Sequence, residues 1–167
     1  PGQGIIVMDP VYGHFSQDIV KWGNEAVRCH LINNDGYYTI NYDLLEQQAS
    51  DPNNTLLIFC NPHNPVGRVW TAEEIRKVSE ICEKHGALLI EDAAEAMGAT
   101  IDGRQCGSFG DYSAVSYNGN KIITGSSGGC MLTNDIEVAN KARKWSTQAR
   151  ENAPWYQHEE VGYNYRM

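Results

Sequence analysis

Thr55-Leu56-Leu57-Ile58-Phe59-Cys60 runs straight into Asn61-Pro62-His63-Asn64-Pro65-Val66-Gly67. A nearly all-apolar run of this length fits a strand covered on both faces, and the Asn, Pro and Gly residues after it stop the ladder and turn the chain. Thr71-Ala72-Glu73-Glu74 follows as a capping box, in which the Thr71 hydroxyl takes the Glu74 N–H and the Glu74 carboxylate reaches back. The helix it opens places Ile75, Val78, Ile81 and Cys82 on one face, and Gly86 is set to end it. Ala87-Leu88-Leu89-Ile90 then reads as a second apolar strand that closes on Glu91-Asp92. Strand, helix and strand in this order predict a parallel pair joined by a crossover.

The same alternation extends outward in both directions. Residues 5–8 predict a strand, and Phe15, Ile19, Val20 and Trp22 fall at helical spacing. Residues 26–32 predict a further strand and residues 41–49 a short helix. Residues 111–116 and 129–133 predict two more strands, and a last helix is expected over 136–149. The fold expected is α/β: a three-layer, doubly wound, mainly parallel sheet with helices on both faces. A chain of 167 residues without internal repeats suits one domain.

The formal net charge of −8 argues against a nucleic-acid partner, which demands a basic face. No apolar run is long enough to span a membrane, and no leader-like segment opens the chain. The five cysteines are widely spaced, with no C-x-x-C pair, and predict reduced, mostly buried thiols in a cytoplasmic protein. Both ends read as cuts through a longer protein, because a strand-like run starts almost at once and the chain stops without a closing element.

In an open parallel sheet, ligands bind beyond the carboxyl ends of the strands. Four polar clusters lie there: Asp9-Pro10-Val11-Tyr12, the turn at 61–67, Glu91-Asp92-Ala93-Ala94-Glu95, and Ser116-Tyr117-Asn118-Gly119-Asn120-Lys121. Lys121 sits in a polar turn, where a desolvated amine can form a Schiff base with an aldehyde. Asp92 ends an apolar strand, so its carboxylate calls for a cation such as a protonated ring nitrogen. Asn64, held between two prolines, can donate to a phenolate oxygen, and Tyr12 can stack on a flat ring. Ser116 and the turn Gly125-Ser126-Ser127-Gly128-Gly129 offer a hydroxyl and backbone N–H donors to a phosphate. An aldehyde, a ring nitrogen, a phenolic oxygen and a phosphate together describe pyridoxal 5′-phosphate.

Each of these residues also has a plainer reading. A lone lysine after a strand is commonly a solvated charge, Asp92 could cap a following helix, and Tyr12 could be core packing. Asn-Pro pairs are common turn formers, and a Gly- and Ser-rich turn can be a simple loop. The five histidines have no metal-ligand spacing, and structural or surface roles are expected for them. The functional reading rests on the order and co-location of the set.

The same residues carry a family resemblance in two parts. Residues 2–86, through DPVYGHF, NPHNPVGRVWTAEE and EICEKHG, resemble the class I/II aminotransferases, especially the cystathionine β-lyase branch. Residues 89–167, through IEDAAEAMGATIDGRQCGSFGD, SYNGNKIITGSSGGCMLT, STQAR and GYNYRM, resemble the DegT/DnrJ/EryC1/StrS sugar aminotransferases. Both branches share the fold-type-I pyridoxal-phosphate architecture, so the resemblance implies a single, truncated large domain. A chimeric join is expected near residues 86–91.

The resemblance implies Lys121 as the Schiff-base lysine, Asp92 as the partner of the pyridine nitrogen and Ser116 as a phosphate ligand. It implies Tyr12 as the stacking aromatic and Asn64 as the donor to the phenolic oxygen, which Glu95 would approach from the other branch's side. Asn164 or Arg166 matches a segment that reaches a neighbouring subunit's phosphate, which implies a homodimer. The Gly-Thr or Ser-Gly-Thr phosphate turn, the N-terminal strand and helix carrying it, and the C-terminal small domain of these families fall outside this stretch. Three functions follow as expectations: transfer of an amino group from a small-molecule donor to a keto-sugar, C–S β-lysis, or a folded engineered scaffold without activity.

Overall fold

A computed structural model describes residues 1–164. The elements run β1 (Gly4–Asp9), α1 (His14–Lys21), β2 (Glu25–His30), β3 (Ile32–Asn34), β4 (Tyr37–Thr39), α2 (Tyr42–Ala49), β5 (Asn54–Cys60) and α3 (Ala72–His85). They continue with β6 (Leu88–Asp92), β7 (Thr100–Ile101), β8 (Arg104–Gln105), β9 (Tyr112–Ser116), β10 (Gly129–Thr133) and α4 (Ile136–Ser146). Among the described residues, six strands form one sheet in the order β10-β9-β6-β5-β1-β2, while β3-β4 and β7-β8 are separate short hairpins. Every pairing in the large sheet is parallel except β9 with β10. The predicted doubly wound α/β sheet is therefore present.

The β5–α3–β6 crossover forms as its sequence dictates. The Glu74 N–H donates to Thr71 Oγ1 at 3.2 Å, and the Thr71 N–H donates to Glu74 Oε2 at 2.8 Å. Gly86 ends the helix at φ 70°, a left-handed conformation that a side chain would strain. Leu57 and Phe59 of β5 and Ile6 and Met8 of β1 face a cluster that includes Leu45 of α2 and Ile75 and Val78 of α3. Val7, between Ile6 and Met8, is fully buried yet lies outside that cluster, so both faces of β1 are covered. Towards the β9–β10 end of the sheet, a small second cluster holds Ala93, Ala96, Cys106 and Val115.

Three expectations shift. The second strand ends at His30 rather than 32, because it pairs with β1 only as far as Asp9↔His30. Leu31 then gives its N–H to the Asp9 carbonyl at 2.8 Å and turns into the core, and Ile32 starts the β3–β4 hairpin. The last helix stops at Ser146 rather than 149. The Thr147 hydroxyl bonds the Arg143 and Lys144 carbonyls at 2.8 and 3.2 Å, and Gln148 and Ala149 have positive φ, which a helix cannot continue through. No helix starts at Asp92, since residues 93–99 are turns and loop, so it caps none. The cysteines are all free: Cys29, Cys60, Cys82 and Cys106 are buried and Cys130 is half-buried. No helix among the described residues is long and apolar enough to cross a membrane.

Candidate active site

Parallel pairing brings the ends of β1, β5, β6 and β9 to one edge of the sheet, and each end delivers one of the four polar clusters. Asp92, the last residue of β6, lies directly across from Cys60, the last residue of β5. Its carboxylate is half-buried, as its place at the end of an apolar strand predicts. Oδ1 accepts the Ala94 N–H at 3.1 Å, and Oδ2 accepts the Cys60 thiol at 3.2 Å. Burial first, then the charge of Asp92, pushes the Cys60 thiol up to about 12, so the sulfur keeps its proton.

Lys121 lies in the loop after β9. Its backbone N–H donates to the Asn118 carbonyl at 3.0 Å, and the Thr124 hydroxyl holds that same carbonyl at 2.9 Å. Its ammonium pairs directly with the Glu95 carboxylate. The Lys121 side chain is only 16% exposed, against 47% for Glu95, so the amine points into the protein and the carboxylate sits at its rim. This lysine is therefore not a solvated surface charge.

Ser116 ends β9 opposite Gly129, the first residue of β10. The Gly-rich turn folds against it: the Tyr117 N–H donates to the Gly128 carbonyl at 2.8 Å, and the Gly125 N–H donates to the Tyr117 carbonyl at 2.7 Å. A Cβ on Gly129 would stand 2.3 Å from the Val115 carbonyl oxygen, so only glycine permits this approach. Ser116 also lines a cleft of about 920 Å³ together with Ala94, Gly128, Arg143 and Asn164. That volume lies within the range of small-molecule sites. Asn164 bridges to Thr147 through its backbone. Arg166 lies outside the described residues.

Tyr12 and Asn64 approach from the other side. Tyr12 is 45% exposed and touches Phe15 edge-on, with ring centroids 5.7 Å apart, and His14 at 4.9 Å. It is thus a surface aromatic and not core packing. Asn64 is exposed, and its side chain makes no hydrogen bond to Glu95. The loops carrying Tyr12 and Asn64 are joined by His63, whose Nε2 lies 3.0 Å from the Pro10 carbonyl oxygen. Burial pushes the His63 imidazole below its ordinary value, so it stays neutral and donates that proton.

The sequence expectations did not single out Cys60 or His63 as contacts of the site, nor Glu91 as a buried anchor. Glu91 is 2% exposed and accepts the Gly107 and Phe109 N–H groups at 2.7 and 2.9 Å. The alternation of the strand held the signal for Glu91: of Glu91 and Asp92, one must face the interior.

The family model for the DegT/DnrJ/EryC1/StrS aminotransferases matches residues 65–167. The chain belongs to that family. The match begins well before residue 86, so it spans the expected join. GDP-perosamine synthase of Caulobacter vibrioides aligns along all of this chain at 36% identity, and the chain covers 43% of it. Cystathionine beta-lyase PatB of Bacillus subtilis is 41% identical over 92 residues, 55% of this chain and 24% of the lyase. Both families named by the sequence resemblance thus have counterparts. Among solved structures, cystalysin from Treponema denticola, which contains a pyridoxal 5′-phosphate cofactor, superposes with a TM-score of 0.75 at 28% identity. It covers 94% of this chain and is itself covered to 42%. The chain spans less than half the length of these relatives.

Proposed function

We propose that this chain is the cofactor-holding core of a pyridoxal-phosphate-dependent aminotransferase that moves an amino group from a small-molecule donor to a keto-sugar. The observation that carries the reading is Lys121: an inward-pointing amine at the same sheet edge as the Asp92 carboxylate. The donor set suits the cofactor, with Asp92 for the ring nitrogen, Asn64 for the phenolic oxygen, Tyr12 for the ring face, and Ser116 with the turn at 125–129 for the phosphate. When bound, the cofactor supplies an electron sink for charge developing at the substrate's α-carbon.

The residues divide the remaining work. Lys121 is the covalent anchor, and its Nζ must first lose the proton it shares with Glu95, because an ammonium has no lone pair. With the cofactor held there, the same Nζ would be the group placed to move the proton at the substrate's α-carbon. Asp92 would keep the ring nitrogen protonated by offering it a fixed negative charge. In a homodimer, Asn164 of a second copy would add to the phosphate ligands. The keto-sugar is favoured by the perosamine synthase alignment, which runs along the whole chain.

C–S β-lysis is the second reading, favoured by the 41% identity to cystathionine beta-lyase PatB. Adding pyridoxal phosphate tests the shared part. A visible absorbance band is expected in the parent chain and none in Lys121→Ala. A folded parent chain with no band at any cofactor concentration rules out both readings. Release of pyruvate from cystathionine supports the lyase, and amination of a keto-sugar supports the transferase.

A further inference from the structure

Cys60 and Asp92 are register partners at the ends of adjacent parallel strands, so their side chains leave the sheet on the same face. The Cys60 side chain is buried, at 3% residual exposure, and its sulfur lies 3.2 Å from Asp92 Oδ2. The thiol has one proton and a second acceptor within reach, the Pro62 carbonyl at 3.2 Å. A carboxylate is the stronger acceptor of the two. The other carboxylate oxygen, Oδ1, is held by the Ala94 N–H at 3.1 Å. Donors from two separate segments therefore fix the plane of the Asp92 carboxylate.

We propose that Cys60 is a positioning residue: its thiol holds the Asp92 carboxylate in the orientation that meets a protonated ring nitrogen. This rests on the reading of Asp92 given above. The thiol suits the task because it is neutral. A second anion in its place would repel the carboxylate, and an apolar side chain would leave Oδ2 without its buried donor.

Two measurements on the full chain test this. Infrared difference spectra of Cys60→Ala against the parent isolate the Cys60 S–H stretching band without any cofactor. In Asp92→Ala that band should move to higher frequency and weaken, with a smaller shift in Asp92→Asn. A band that stays in place in both variants overturns the proposal. The second measurement is the pyridoxal-phosphate dissociation constant. It should rise about tenfold in Cys60→Ala, as when an outer partner of a ligand-holding group is removed, and Cys60→Ser should recover most of the loss. Tight binding by Cys60→Ala, or no recovery in Cys60→Ser, overturns the positioning role. If the parent chain itself binds no cofactor, the functional reading falls, and the infrared bands alone decide whether the thiol holds Asp92. Far-ultraviolet circular dichroism confirms that each variant is folded.

Discussion

The side of the sheet built on β1, β2 and β5 and the side built on β9 and β10 meet at β6, and they are packed differently. The first carries the larger core, closed by α2 and α3 and anchored by Phe59 and Trp70, which are 2% and 1% exposed. The second has a four-residue buried cluster, and its helix α4 buries no residue fully. Met131, Leu132 and Ile136 stay 40%, 43% and 69% exposed there. Tyr12, Asn64 and the thiol that holds Asp92 stand on the dense side, while Lys121, Ser116 and the Gly-rich turn stand on the sparse side. The Cys60 thiol is thus set in the dense core while Tyr12 and Asn64 stand exposed beside it, and the Lys121 amine sits in a loop held by hydrogen bonds and one ion pair.

Mutation offers ways to break or sharpen that contrast. The largest effect is expected at Trp70, which fills the dense core and donates its indole N–H to the Cys60 carbonyl at 3.1 Å. Trp70→Ala should lose about 3–5 kcal/mol of unfolding free energy in urea titrations. A loss of under about 1 kcal/mol would mean that this core is not close-packed. Glu91→Ala comes next. It leaves the buried Gly107 and half-buried Phe109 N–H groups without their acceptor, and about 2–3 kcal/mol should be lost, with faster amide exchange at those two positions. Unchanged exchange there would remove Glu91 as the tie between β6 and the sparse side.

His63 supplies a smaller, pH-dependent effect. Its imidazole is held below the ordinary value of 6.5 by burial, so the unfolded chain takes up a proton that the folded chain refuses. Stability attached to this group is therefore complete above about pH 6.5 and declines as pH falls below it, by at most about 1.4 kcal/mol per pH unit. Denaturation midpoints measured from pH 7.5 downward, each value being roughly spaced by half a unit, should fall less steeply in His63→Gln. Equal slopes would show that His63 takes no part. The smallest effect is expected on the sparse side, where Met131→Ala should change stability by under about 0.5 kcal/mol. A loss above about 2 kcal/mol would show that this surface is covered in solution.

Local chemistry was legible in the sequence. The Thr71–Glu74 capping box, the Gly86 stop and the β5 and β6 strands each depend on residues close along the chain, and each formed where its residues predict. The edge that gathers the four polar clusters was legible too, because it follows from parallel strand order alone. The ends of β2 and α4 were not. The first depends on where β1 stops offering a partner, and the second on backbone angles at Gln148 and Ala149 that no periodicity encodes.

The sequence by itself determined which residues could do chemistry, because Lys121, Asp92, Ser116, Asn64 and Tyr12 stand at the ends of strands or in the turns that follow them. Only the tertiary structure decided their partners. Lys121 meets Glu95 from 26 positions away, and Asp92 meets the Cys60 thiol across 32. Such contacts come from strand register and from the inward or outward facing of each side chain. They are properties of the sheet as a whole, and no single segment of the chain contains them.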